Sequence, residues 1–198
     1  MICMLITAAC RNPFLPPTGV PVNFNNEMRS TPQGVINQLI DAYENRQIDL
    51  YEDLFPRDGS FRFFVAPVYY DSEGEKYRQF SEAGDPRLQF ISQNDSYYYW
   101  EQDGEIERHA RLFSRTLDIQ FLMKPFIAEI RKFVDNGDSL SELKVTGGLL
   151  EISYYKSIDT IQVFSTEPKE QVFLLSKDDE DLWVISKWYD FSVGKGAD

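Results

Sequence analysis

The sequence predicts an α+β domain, about three helices packed against an antiparallel sheet. Three observations carry this. The stretch Ser30–Phe64, STPQGVINQLIDAYENRQIDLYEDLFPRDGSFRFF, reads as a helix, a tight joint, a second short helix and a strand. The order that follows it is one more helix and then several long strands. Fifteen Phe and eleven Tyr favour strands and supply a core. Helices are expected near 32–44, 48–55 and 101–114, with strands near 60–66, 116–123, 143–157, 160–165, 171–177 and 182–191.

Thr31 is a good N-cap, and Pro32 then falls at the first helical position, where a missing N–H costs nothing. Val35, Ile36, Leu39, Ile40 and Tyr43 follow the helical rhythm of one buried stripe. Asn45 and Arg46 interrupt it, and Ile48, Tyr51, Leu54 and Phe55 resume it. Pro56 ends the second helix, because the residue before proline avoids the helical region. Arg57-Asp58-Gly59 turns the chain into a strand dense in Phe and Val.

Residues 67–95 are polar with scattered aromatics and read as a long loop with one helical turn at most. Tyr97-Tyr98-Tyr99-Trp100 reads as aromatic packing at a helix entrance, with an exposed binding patch as the alternative. Glu105–Ser114 forms the third helix, with Ile106, Ala110 and Phe113 on one side. Thr116–Met123 alternates as a strand. The stretch 124–137 is ambiguous: Phe126, Ile127, Ile130, Phe133 and Val134 fit a helical stripe begun by Pro125, and a short extra helix is favoured over a loop or a strand. Leu143–Ser157 reads as one strand with a bulge at Gly147-Gly148. Two more strands join through Thr166-Glu167-Pro168-Lys169, and the acidic turn Asp178–Asp181 leads into the last strand.

The totals exclude several function classes. A net charge of -12 and a pI near 4.6 argue against nucleic acid and against electrostatic docking on anionic lipid. Both cysteines, Cys3 and Cys10, lie in the first ten residues. The domain therefore has no disulfide framework and no thiol nucleophile. With a single histidine and no domain cysteine, no metal site and no cofactor are expected. Asp178-Asp179-Glu180-Asp181 lacks the ligand spacing and glycine of a calcium loop and reads as a solvated hairpin.

Thr31, Pro32, Gly34, Val35, Ala42, Tyr43, Arg46, Tyr51, Leu54, Phe55, Phe61 and Phe63 stand in an order that resembles the start of the nuclear transport factor 2-like (NTF2-like, SnoaL-like) superfamily. Within it, the chain looks most like bacterial lipoproteins carrying the pattern TPEGVL…AY..RD...Y..LF..DF.F. Trp183, Ile185, Trp188 and Asp190 resemble the WKI.RW.D ending of that set. The resemblance covers about residues 30–191. It implies an NTF2-like/cystatin-like cone, a curved antiparallel sheet wrapped around the helices, and it reaches no catalytic motif of the superfamily's isomerases, dehydratases or hydrolases.

Met1–Cys10 is uncharged and apolar and ends in small residues before a cysteine, as the end of a secretory signal does. Ile6-Thr7-Ala8-Ala9-Cys10 resembles a lipobox, with Thr7 where the family has Leu, which implies lipidation of Cys10. A start codon placed too late would explain its shortness and the lack of a basic leader; the alternative is a short disordered apolar N-terminus with two ordinary thiols. Residues 11–29, with four prolines, read as a tether, so the expected layout is 1–29 signal, lipidation site and tether, 30–192 domain and 193–198 frayed tail. By the same resemblance Arg11 after the cysteine implies the outer membrane, or the periplasmic face, reached by lipid alone.

His109 is the single histidine, the side-chain type suited to acid–base chemistry near neutrality, and on the third helix it leans toward the apolar side. With the strand carboxylates Asp118 and Asp190 it is a weak catalytic candidate. Tyr43, His109, Phe164, Trp183, Trp188 and Tyr189 are candidates for a cavity inside the cone. The expected function is a non-catalytic binding or assembly module of the cell envelope. Its partner would be a small hydrophobic ligand or an envelope protein, and a homodimer is left open. The alternative is a small-molecule enzyme using a carboxylate or His109 in the cavity.

Overall fold

The computed structural model describes residues 26–65, 78–80, 97–157, 160–167 and 170–191, with the backbone alone at 65, 78–80, 97–98 and 156–157. The Cys10 lipobox, most of the tether, nearly all of the 67–95 loop and the 193–198 tail lie outside the described residues. A 3-10 turn at Met28–Ser30 leads into α1 (Pro32–Asn45) and α2 (Ile48–Glu52). The Thr31 hydroxyl accepts the Gly34 N–H at 3.1 Å, so the cap forms as the sequence dictates. Strands β1 (Arg62–Val65), β2 (Arg78–Phe80) and β3 (Tyr97–Glu101) precede α3 (Gln102–Arg115). Seven strands follow: β4 (Thr116–Met123), β5 (Phe126–Asp135), β6 (Asp138–Thr146), β7 (Leu149–Ser157), β8 (Thr160–Thr166), β9 (Glu170–Lys177) and β10 (Trp183–Asp190).

The ladders run in the order β2-β3-β1-β10-β9-β6-β5 and, separately, β4-β7-β8. These are two halves of one bent surface. The long β4–β5 and β6–β7 runs both break at one level, at Lys124-Pro125 and at Gly147-Gly148, and β8 passes to β9 there too. Gly147 and Gly148 have φ of 69° and 96°, a backbone region that glycine enters without a Cβ clash. The bend wraps the surface around α1 and α3 and gives the α+β cone. One pairing departs from the expected antiparallel arrangement: β1 and β10 are parallel, Phe63 opposite Trp188. The last strand returns to the middle of the sheet, between the first strand and β9.

The largest departure lies at 124–137, where the extra helix is in fact β5. Asn136 and Gly137, with φ of 52° and 96°, form a two-residue turn that folds β5 back on β6. An Asn-Gly pair between apolar runs is the strongest short hairpin signal. A bulge between Glu129 and Arg131 breaks the alternation of β5, which is why its apolar residues imitate a helical spacing. The stretch read as one strand, 143–157, is likewise two, β6 and β7, in different ladders.

The tether reading also ends too late. Arg29 is 3% exposed and belongs to the fold. Its guanidinium pairs with Asp53 at 2.7 Å and Asp178 at 2.5 Å, and its Nε donates to the Trp183 carbonyl at 3.3 Å. Asp178 Oδ1 meanwhile accepts the N–H groups of Glu180 and Leu182, so one carboxylate caps the acidic turn and holds the entry segment.

Alternation along the central strands makes two clusters. Phe63, Trp183, Ile185 and Trp188 face the helices, among the residues of the main core. Phe64, Tyr99, Val172 and Tyr189 form a smaller cluster on the other face. Trp100 stacks on Phe63 at 4.3 Å and Tyr99 is buried, so the aromatic run packs as expected at the start of α3.

Candidate functional site

The polar centre of the cone is Glu105, on the first turn of α3 and 0% exposed. Tyr51 of α2 donates its hydroxyl to Oε1 at 2.6 Å, and the Trp100 indole N–H donates to Oε2. His109, one turn along α3, places Nδ1 3.0 Å from the Glu105 carbonyl and 3.2 Å from its Oε1. An Nδ1–H there is a donor, which leaves Nε2 to accept the Tyr43 hydroxyl at 2.5 Å. Tyr51 also stacks on the His109 ring, with centroids 4.2 Å apart. The result is a line, Tyr43 to His109 to Glu105, with Tyr51 and Trp100 completing the carboxylate's shell.

Burial raises the pKa of both phenols well above 10.0, and the negative charge of Glu105 adds to it. Tyr43 and Tyr51 thus stay protonated donors at physiological pH. The sign follows from the raised value: the stability linked to these phenols is intact below pH 10.0 and is lost as pH climbs through their folded pKa.

One small pocket touches this network. Its volume is about 80 Å³, and Ile40, Tyr43, Phe121, Leu150, Phe173 and Trp188 are among its walls. Ligand sites for drug-sized molecules run to roughly 300–1,000 Å³, so this one admits only a few heavy atoms. The Tyr43 ring is partly exposed to it, while the phenol oxygen is buried against His109. The buried Trp188 Nε1 has no hydrogen-bond partner among the described residues.

The expected cavity residues therefore separate. Tyr43 and Trp188 line the pocket, and His109 lies directly behind Tyr43. Trp183 is buried against the Arg29 anchor, its carbonyl holding that guanidinium. Tyr189 points to the other face of the sheet, because neighbours in a strand alternate and Trp188 faces the cone. Phe164 is 53% exposed and lines a different, open groove beyond α3. Asp118 is exposed and bonded to Gln120, so it cannot serve the cavity. Asp190 is half-buried on the cone side, near enough for its charge to act on Tyr43. Glu105 and Tyr51 were missed as site residues, although the spacing Glu105, His109, Phe113 at i, i+4, i+8 marks one face of α3.

No family model matches the chain, and no curated protein matches it. Among solved structures it is similar to an NTF2-like superfamily protein from Salmonella enterica serovar Typhimurium, at 11% identity, covering 87% of this chain and 97% of that one, with a TM-score of 0.45. It is also similar to a ketosteroid isomerase-like protein from Erwinia carotovora atroseptica, at 12% identity over 86% and 100% of the two chains, with a TM-score of 0.41. An NTF2-like protein from Cytophaga hutchinsonii aligns at 8% identity over 81% and 94%, with a TM-score of 0.42. By its own element order and bent sheet the fold is the α+β cone that the resemblance implies: two helices, three strands, the α3 helix and seven further strands that curl around them.

Proposed function

We propose that this chain is a non-catalytic binding and interaction module of the bacterial cell envelope, held at the membrane by lipid on Cys10. The observation that carries the non-catalytic part is the filled cone. Among the described residues, aromatic and aliphatic side chains occupy it, and the pocket beside Tyr43 is about 80 Å³. The donors of Tyr51 and Trp100 turn inward to one buried carboxylate, which orders the helices. The pocket suits an apolar molecule of a few heavy atoms against Ile40, Phe121, Leu150 and Phe173.

The competing reading is a small-molecule isomerase, dehydratase or hydrolase. One observation favours it: the hydrogen-bonded line from Glu105 through His109 reaches the pocket wall at Tyr43. Proton transfer along such a line is ordinary general acid–base chemistry. The two readings separate in a turnover screen of small enones, β-hydroxy carbonyls and epoxides. We expect no turnover by the wild-type protein. Turnover that disappears in both His109→Ala and Tyr43→Phe, with the melting temperature unchanged, establishes the enzyme instead.

The envelope part rests on the sequence around Cys10. Expressed behind a complete export signal, the chain should incorporate palmitate and sediment with membranes, and Cys10→Ser should do neither. Membrane attachment that survives Cys10→Ser refutes the anchor.

A further inference from the structure

Strand β8, Thr160–Thr166, closes one end of the β4-β7-β8 ladder, and among the described residues it pairs only with β7. Its sequence, TIQVFST, has no charge, no proline and no glycine. Edge strands are normally blunted by such residues, because an open row of N–H and C=O groups recruits another strand. The other outer strand of the meander, β5, is guarded in this way by Glu129, Arg131 and Lys132. On β8, Ile161, Val163 and Phe164 are each more than half exposed, at 57%, 52% and 53%.

The concave side of the same edge is a groove of about 720 Å³ between β7–β8 and α3. Ile152, Tyr154 and Phe164 form part of its floor, and Arg108, Arg111 and Arg115 form its helical wall. In a chain of net charge -12, no acidic side chain lines this groove among the described residues. Arg108 lies over the Trp100 ring at 4.4 Å, and Arg111 keeps a loose, exposed contact with Glu107 at 3.7 Å. A pair of that kind yields readily to a better-placed carboxylate.

We propose that the outer edge of β8 is a docking site for an extended acidic segment of a partner protein, added to the ladder as a fourth strand. A backbone is the ligand that satisfies an open strand edge. The side-chain pattern follows from alternation. Gln162 and Phe164 share the groove side, while Ile161 and Val163 share the opposite one. Incoming residues over the groove meet arginines, and those on the other side meet Ile161 and Val163. Arginines one helical turn apart are spaced about 5.4 Å, against roughly 6.8 Å between alternate strand residues, so neighbouring groove-side positions can both carry Asp or Glu. The segment is therefore acidic and β-branched residues in alternation. This inference stands on the β8 edge and its groove and holds whether the cone binds a ligand or turns one over.

The test uses a labelled nine-residue peptide alternating Val and Glu, and the same peptide with Lys for Glu. By fluorescence anisotropy at low salt, the Glu peptide should bind at least tenfold tighter than the Lys peptide. Arg111→Glu with Arg115→Glu should weaken it tenfold or more, as should Ile161→Lys with Val163→Lys, while the melting temperatures of these surface variants stay within a few degrees. No binding of the Glu peptide at millimolar concentration overturns the proposal, as does equal binding of both peptides. So does a wild-type dimer in sedimentation that Ile161→Lys with Val163→Lys makes monomeric, which would make a second copy the occupant.

Discussion

Replacing Glu105 by leucine is expected to cost about 2–4 kcal/mol of unfolding free energy, read as a lower urea midpoint at unchanged slope. The size comes from the donors left behind. Tyr51 and Trp100 each point a buried O–H or N–H at this carboxylate and lose their partner when it is removed. His109 is hurt less, because its Nδ1 keeps the backbone carbonyl of position 105 at 3.0 Å. Glutamine is the informative control. It keeps the shape and one acceptor oxygen, so it should lose roughly half as much. A leucine variant as stable as wild type would show that Glu105 organises nothing. The same position separates structure from chemistry, since the glutamine protein should stay folded while the Tyr43–His109 line loses its carboxylate.

The second large effect is expected at Arg29. Arg29→Met removes a buried guanidinium and leaves Asp53 and Asp178 side by side without their cation, together with an unbonded Trp183 carbonyl. Breaking a buried ion pair from one side costs about 3–5 kcal/mol. Adding Asp178→Asn should recover part of this loss, because one of the two uncompensated charges is gone. The recovery is incomplete, since Asp178 Oδ1 also caps the turn that enters β10. A loss of less than about 1 kcal/mol, the size of an exposed pair, would mean that the segment before α1 is not fastened to the sheet.

The opening of the fold was legible because its signals are local. Thr31, Pro32 and the apolar stripe of α1 need no knowledge of the rest of the chain. The 124–137 error was also decided locally, since Asn136-Gly137 outweighs a helical spacing that a bulge had counterfeited. Naming both Trp188 and Tyr189 as cavity residues contradicted strand alternation, and the structure sends them to opposite faces. Arg29 was illegible because its partners lie 24 and 149 residues away and nothing in a proline-rich leader marks a buried cation. Glu105 looked like one more acidic residue in a helical first turn, where carboxylates are common on the surface. Its burial depends on Tyr51 and Trp100 arriving from two other elements.

The parallel pairing of β1 with β10 has a kinetic consequence. Residues 62–65 meet 187–190, so the middle of the sheet joins the two ends of the domain. β10 also carries Trp183, Ile185 and Trp188, one whole wall of the main core. No earlier strand can stand in for it, because β1 and β9 touch only through β10. A nascent chain must therefore wait for its last strand before the core can close. Pairings of such sequence separation are also slow to form, since the loop entropy is lost before any contact is gained. Closure of the core thus waits for β10, and until that strand pairs with both neighbours the first strand and β9 remain unjoined.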